Sequence, residues 1–241
     1  MKACGITDIG KVRKENQDSF LVEYGDERIV AVVCDGMGGA RSGNIASALG
    51  AECFCGHLEN CFAEDEPPAM PELIREAVAY SNVRVYDRAF TDFTCEGMGT
   101  TLVGGVFLED KAYIANVGDS RAYLVSENEI RQITTDHSYV EELVQQGIIT
   151  REAARKHPKR NYITRALGLA REVDCDIFTL DIEPGNTVLL CTDGLSNLVT
   201  EQEMLELSRE HSDPEPLCAA LMELALGREA ADNVSVAAVC Y

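Results

Sequence analysis

A run of six apolar residues at 29–34, IVAVVC, breaks off at Asp35 and a glycine-rich turn, DGMGG. β-Branched side chains dominate the run, and it is too short for a lone buried helix, so it predicts a strand covered on both faces. Asp35 comes where that strand should leave the core. Gly36, Gly38 and Gly39 then permit positive φ and a close approach of backbone to a bound ion or phosphate. Taken alone, the same residues also describe an ordinary strand-to-helix turn that happens to carry an acid.

A second copy of the pattern favours a site. Residues 188–191, VLLC, form another short apolar run that delivers Asp193 and Gly194 after Thr192, and Asp232 with Asn233 precedes the apolar run 234–240. Three carboxylates therefore stand at strand ends. If these strands are neighbours, the carboxylates converge, and carboxylates held close together either raise one another's pKa or demand a cation. A ligand set of oxygens, with no His or Cys, suits a hard ion such as Mg²⁺ or Mn²⁺.

The 241 residues are 46% hydrophobic, enough for a full core, and are read as one domain, 1–241. No stretch approaches the roughly 18 uninterrupted apolar residues of a membrane span, and the first residues, MKACGITDIGK, lack an apolar signal core. A cytoplasmic protein is expected. The net charge of −20, from 41 acidic and 21 basic residues, argues against nucleic acid or an anionic membrane as main partner. Ten cysteines occur without a CxxC pair, and Cys34, Cys191 and Cys240 fall inside apolar runs, which predicts reduced, core-filling thiols. Cys53, His57 and Cys61 share a helical face that could hold a soft metal, but Leu49 and Leu58 nearby make it a core stripe.

Along the chain, residues 5–25 read as a strand pair broken by a polar loop. Within it, Arg13 could grip a phosphate through a two-pronged, charge-assisted contact, although an arginine so placed, taken alone, is more often a surface residue. Residues 42–62 read as a helix with Ile45, Leu49, Cys53, Leu58 and Phe62 as its apolar stripe. Pro71 suits the first turn of a second helix to about residue 90, buried along Leu73, Ile74, Ala77, Val78 and Val85. Residues 100–107 and 111–117 predict a hairpin around Glu109 and Asp110, and 120–125 continue the meander after a turn at Gly118 and Asp119. At 136–167 the pattern changes to a flap of short helices, capped at Ser138 and Thr150 and ended by Gly147. Its basic residues Arg151, Arg155, Lys156, Lys159 and Arg160 either meet an acidic or phosphorylated partner or form a solvated face. Thr200 caps a helix to about residue 210, and 214–226 supply another.

With these residues collected, the chain resembles the metal-dependent protein phosphatases of the 2C type, in particular short bacterial serine/threonine phosphatases. The resemblance rests on TDIGKVRKENQDSF, VAVVCDGMGGARSGNIAS, MGTTL, YIANVGDSRAYL, ITTDHS, NYITRALG, LLCTDGL and DNVSV, in the family's order through nearly the whole chain. It implies an α+β, four-layer α-β-β-α sandwich of two central antiparallel sheets flanked by helices. It also implies two core Mn²⁺ or Mg²⁺ ions, with Asp35 bridging them, the Gly36 carbonyl on the second, and Asp193 and Asp232 on the first. Asp119, with Asp193, matches a third-ion site; Arg13 matches the phosphate-binding arginine; Asp18 matches an acid that holds metal-bound water.

The implied reaction is direct attack on phosphorus by a water bridging two ions, with Arg13 and the ions neutralising charge on the equatorial oxygens. No cysteine nucleophile is required. Two positions depart from the family pattern: Met37 replaces a histidine proposed as general acid, which leaves protonation of the leaving group to metal-bound water or to no fixed acid, and Gln17 replaces a frequent glutamate. The expectation is a monomeric phosphoserine/phosphothreonine protein phosphatase opposing a bacterial serine/threonine kinase. A pseudophosphatase that binds phosphoproteins on the same fold, and a hydrolase of small phosphoesters, are the alternatives.

Overall fold

The computed structural model describes residues 1–37, 42–64 and 68–241; Gly38, Gly39 and part of the acidic loop after residue 62 lie outside the described residues. The strands are β1 (Lys2–Asp8), β2 (Asp18–Gly25), β3 (Arg28–Met37), β4 (Gly99–Thr100), β5 (Leu102–Phe107), β6 (Lys111–Val117), β7 (Arg121–Val125), β8 (Ile130–Gln132), β9 (Asp176–Asp181), β10 (Thr187–Cys191) and β11 (Val234–Cys240). The helices are α1 (Gly43–Phe62), α2 (Met70–Thr91), α3 (Tyr139–Gln145), α4 (Arg151–Arg155), α5 (Asp193–Ser196), α6 (Glu201–Glu210) and α7 (Pro214–Gly227). One sheet runs β1-β11-β10-β7-β8; the other runs β2-β3-β5-β6-β9, with β4 on β3, and the pairings are antiparallel.

Side-chain alternation accounts for the layers. On β3, Ile29, Ala31 and Val33 join Val188, Leu190, Ala237 and Val239 of the other sheet in a core between the sheets. Val30, Val32 and Cys34 point the other way, onto Phe54 and Leu58 of α1 and Leu73 and Ile74 of α2. On the second sheet, Leu189, Cys191, Val236 and Ala238 face Met204 and Leu205 of α6 and Leu217 and Leu221 of α7. A strand with two apolar faces requires cover on both, and these helices complete the four-layer sandwich.

Three sequence expectations fail, each for a physical reason. The strands flanking the polar loop at 9–17 do not pair: β1 is bonded to β11 and β2 to β3, so the loop passes from one sheet to the other. Nor does β7 continue the meander. The turn at 118–120 crosses between sheets, and β7 pairs with β10 and β8. Finally, α1 buries Ala46, Ser47, Gly50, Ala51, Phe54, Cys55 and Leu58, so its inner face is rotated from the large-residue stripe. Ile45 and Leu49 instead pack beside Val85, Cys95 and Met98. The short β8 and the edge strand β9 carry no sequence signal strong enough to predict them.

All ten cysteines are free. The Cys61 thiol lies 3.6 Å from His57 Nε2, and His57 stacks on Tyr80 at 5.0 Å between ring centroids. Among the described residues no helix is long and apolar enough to cross a membrane.

Candidate active site

Register brings the acids to one end of the sandwich. Cys191 is opposite Val236 on β11 and Arg121 on β7, so the chain just beyond β10 meets the chain just before both neighbours. That places Asp193, Asp232 and Asp119 together. In the facing sheet Asp35 extends the inward series Ile29, Ala31, Val33 and is paired with Asp18, the first residue of β2. A cavity of about 860 Å³ opens there, lined by Asp35, Gly36, Asp119, Asp193, Asp232 and Arg13, together with Lys14, Glu15, Gln17, Met37, Thr101, Asn161 and Ile163.

Each acid is held by its own local structure. Thr101 grips the end of β3: its hydroxyl accepts the Asp35 N–H at 2.9 Å, and its own N–H donates to the Asp35 carbonyl at 2.9 Å. Gly36 must be glycine, because a Cβ there would stand 2.0 Å from the Gly43 carbonyl oxygen and 2.5 Å from that of Gln17. Gly118 takes φ +110°, a conformation that turns β6 out of its sheet and sets Asp119 at the crossing. The Gly118 N–H donates to His137 Nδ1 at 3.1 Å, and the His137 N–H returns to the Gly118 carbonyl at 2.9 Å. Asp193 opens the short α5, where the Asn197 side-chain amide donates to its Oδ2 at 3.1 Å.

Asp18 lies beneath the cavity rather than on its wall. It is 6% exposed, and its Oδ2 accepts the hydroxyls of Thr192 at 2.9 Å and Ser235 at 2.8 Å, so one carboxylate ties β2 to the chain ends of β10 and β11. Burial pushes its pKa up to about 7; the two hydroxyls oppose that, and Asp193 and Asp232 add to it. Asp119 rises to about 8, through burial and then the charges of Asp193 and Asp136. Asp35 is raised well above the usual range by burial and by Asp18, Asp193, Asp119 and Asp232, and Asp193 is raised by burial and Asp232. Behind the acids, Arg121 is bonded two-pronged to Asp136, at 2.9 Å from Nε and 2.6 Å from Nη2.

The donor chemistry fits a hard cation: four half-buried carboxylates, Asp35, Asp119, Asp193 and Asp232, face one cavity. Among the described residues no three Asp, Glu, His or Cys side chains draw tightly enough together to enclose an ion by themselves. The acids therefore converge on a cavity rather than on a point. Arg13 donates from Nη2 to Asp232 Oδ2 at 2.8 Å, so the expected phosphate ligand is paired with an expected metal ligand.

Neither histidine of the flap region lines the cavity. His137 is 7% exposed and sits 3.2 Å from Asp176, and His157 packs against Tyr139. Burial lowers the His137 pKa, opposed by its hydrogen bond to Asp176. Met37 does line the cavity and has no proton to give. Sequence reasoning missed Thr101, Asn161 and Ile163 as lining residues; the first lies in MGTTL and the other two in NYITRALG, motifs that point to the site without saying which side chain enters it.

Comparison with known proteins agrees with this architecture. The family model described as protein phosphatase 2C matches residues 11–225. The serine/threonine phosphatase Stp of Listeria welshimeri is 35% identical over 231 residues, 95% of this chain and 92% of that protein. The crystal structure of the serine/threonine phosphatase Stp1 from Staphylococcus aureus superposes with a TM-score of 0.90 at 35% identity, covering 99% of this chain and 94% of that one. A catalytic domain of the phosphatase PstP, solved with two manganese ions, gives a TM-score of 0.84 at 33% identity, covering 98% and 96%. The chain belongs to the protein phosphatase 2C family.

Proposed function

We infer that the protein is a metal-dependent phosphatase of phosphoserine and phosphothreonine in proteins, acting as one catalytic unit over 1–241 with residues 136–167 as a flap beside the site. The observation that carries this reading is a cavity lined jointly by Asp35, Asp119, Asp193, Asp232 and Arg13. Asp35, Asp193, Asp232 and the Gly36 carbonyl would hold two Mn²⁺ or Mg²⁺ ions, and Asp119 with Asp193 a third. When bound, such ions supply an activated water and neutralise charge on phosphorus.

The chain's own groups set up the rest. Thr101 fixes the backbone of Asp35 from both sides, so this acid needs little reorganisation on binding. Asp18 accepts from Thr192 and Ser235, locking the two sheets at the floor of the cavity. Arg13 is exposed on the rim and would exchange Asp232 for a phosphate oxygen, releasing that carboxylate to its ion. Asn161 and Ile163 bring the flap region to the same mouth, where a peptide flanking the phosphate would pass. Phosphoproteins fit this reading, with a serine/threonine kinase supplying them, in the cytoplasm and as a monomer. The net charge of −20 disfavours nucleic acid.

A phosphoprotein-binding module on the same fold is the alternative reading. Hydrolysis of a phosphothreonine peptide separates the two. Turnover that requires Mn²⁺ and vanishes with EDTA or in Asp193→Ala is expected of the enzyme. A protein that binds Mn²⁺ yet turns nothing over is the binding module.

A further inference from the structure

Asn233 follows Asp232 at the start of β11, is 5% exposed, and points away from the cavity wall into the loop that carries Arg13. Its side-chain amide is spent on that loop's backbone. Oδ1 accepts the Gln17 N–H at 2.9 Å, and Nδ2 donates to the carbonyls of Ile9 at 2.9 Å and Glu15 at 3.0 Å. Two carbonyls on one side and an N–H on the other allow only one orientation of the amide. The bonds grasp the loop at its start and at its end, with Arg13 between. One further backbone bond, Lys11 N–H to the Ala230 carbonyl at 2.7 Å, ties the same loop to the chain that leads into β11.

Among the described residues, that amide is the one side chain whose hydrogen bonds reach both ends of the loop. The loop crosses from one sheet to the other, so no strand ladder fixes it, and Arg13, Lys14 and Glu15 are exposed. Other bonds of the loop include Gly10 N–H to Asp8 Oδ1 at 2.8 Å, Asn16 to the Thr7 hydroxyl at 2.8 Å, the Asn44 amide to the Glu15 carboxylate at 3.0 Å, Gly36 N–H to the Gln17 carbonyl at 3.0 Å, and Arg13 itself to Asp232 at 2.8 Å. We propose that Asn233 is the positioning residue for Arg13: its three-way amide clamp sets the 9–17 loop so that the guanidinium stands over the carboxylate cavity. The proposal rests on the reading of Arg13 as the phosphate contact. It also gives the Asp232–Asn233 dipeptide a joint purpose, since one strand end supplies an acid to the floor of the site and a clamp to its rim. No neighbouring residue type substitutes for the amide. Aspartate keeps the acceptor but sets an oxygen against two carbonyls, and glutamine is one methylene too long.

The test is a double-mutant cycle between Asn233→Asp and Arg13→Ala in the Mn²⁺-loaded protein, read by the affinity for inorganic phosphate and by kcat/KM on a phosphothreonine peptide. A displacement of the guanidinium by an ångström is enough to cost on the order of 10²-fold in kcat/KM. The expected result is that Asn233→Asp weakens phosphate binding and activity, that the double variant is no worse than Arg13→Ala by more than about threefold, and that Mn²⁺ affinity by calorimetry does not fall, since the added carboxylate beside Asp232 can only favour the cation. Amide hydrogen exchange of the 9–17 segment in metal-free protein should rise in Asn233→Asp and not in Arg13→Ala. Effects that multiply in the cycle, or an Mn²⁺ affinity that falls in step with activity, would overturn the proposal by placing Asn233 on Asp232 instead. If the wild-type protein turns over no peptide, the enzyme reading fails, while the phosphate-binding cycle and the exchange measurement still decide the clamp. Should Asn233→Asp not fold, Asn233→Ser takes its place. Failure of both to fold would also overturn the proposal, marking Asn233 as a residue of the sheet rather than of the loop.

Discussion

At the floor of the cavity Asp18 is buried among hydroxyls and beside other acids, and its pKa rises to about 7. On α6 Glu203 does the reverse. It bonds Arg228 and the backbone and hydroxyl of Thr200, and its pKa falls to about 2. These are similar carboxylates on one scaffold, and the difference is what surrounds them. Around Glu203 every partner is a donor or a cation, so ionisation is favoured and the contact holds a helix end. Around Asp35, Asp119 and Asp193 burial and then like charge raise the pKa, and around Asp18 burial outweighs two opposing hydroxyls, so the folded chain holds acids whose charge it does not neutralise. A chain keeps such a cluster at a cost in stability, which a divalent cation bound in the cavity would offset.

Replacing one acid from each environment gives the largest contrast. Asp35→Asn should reduce Mn²⁺-dependent hydrolysis of a phosphothreonine peptide by on the order of 10³-fold or more, because Asp35 faces the cavity and its backbone is already fixed by Thr101. Glu203→Gln should leave kcat/KM within about twofold, since it changes only a surface contact. Equal losses in the two variants would erase the distinction between site and scaffold.

The second contrast is in pH. Between the usual carboxylate range and about 7 to 8, folded Asp18 and Asp119 bind protons that the unfolded chain releases. The folded state therefore binds more protons there, and stability falls as pH rises through that window. Metal-free protein in EDTA should melt at a lower temperature at pH 8 than at pH 5.5, and saturating Mn²⁺ should restore most at pH 8. At about 100 times its Kd the ion contributes about 2.7 kcal/mol, or roughly 5–11 °C for a chain of this size. Glu203 has the opposite sign: its stabilisation is present above the ordinary glutamate pKa and is lost as pH falls towards about 2. A metal-free melting temperature that climbs from pH 5.5 to 8 would contradict the raised acids.

Asp18→Asn sharpens the same comparison at one residue. An amide oxygen can still accept from Thr192 or Ser235 but carries no charge, so the metal-free variant should be more stable than wild type at pH 8. Its Mn²⁺ affinity should be lower by about 10- to 100-fold, the usual loss when a group supporting a metal's ligands is changed. Calorimetric titration with Mn²⁺ checks this; unchanged affinity would confine Asp18 to sheet-to-sheet packing.

Much of this site was legible in the sequence because its acids close apolar strands. Asp35 and Asp193 each follow a run whose buried period is visible in a few residues, and Asp232 precedes another. What could not be read is which strands are neighbours. Residues 9–17 and 118–120 are short connections that sequence logic assigns to hairpins, yet both step between sheets, and that step is what sets Arg13 and Asp119 at the cavity. Side-chain size misled on α1, where close approach to the sheet favours Ala46, Gly50 and Ala51 over Ile45 and Leu49. Asn233 was visible as a residue but not as a clamp, because its partners are main-chain groups at 9, 15 and 17, and a sequence does not display where backbone carbonyls will stand.

The smallest effect lies at the far end of the comparison. Thr200 caps α6 through both halves of a capping box, its hydroxyl accepting the Glu203 N–H while Glu203 returns to the Thr200 N–H at 2.9 Å. Thr200→Ala should cost about 1 kcal/mol, the ordinary worth of an N-cap, and so lower the melting temperature by about 2–4 °C. Because α6 packs on the outer face of the β1-β11-β10-β7-β8 sheet, through Met204 and Leu205, the loss should be independent of metal. The measured drop should be the same in EDTA and in saturating Mn²⁺. A drop that differs between the two would mean that the helix layer and the cavity share their energetics, and the division between scaffold carboxylates and site carboxylates would have to be redrawn.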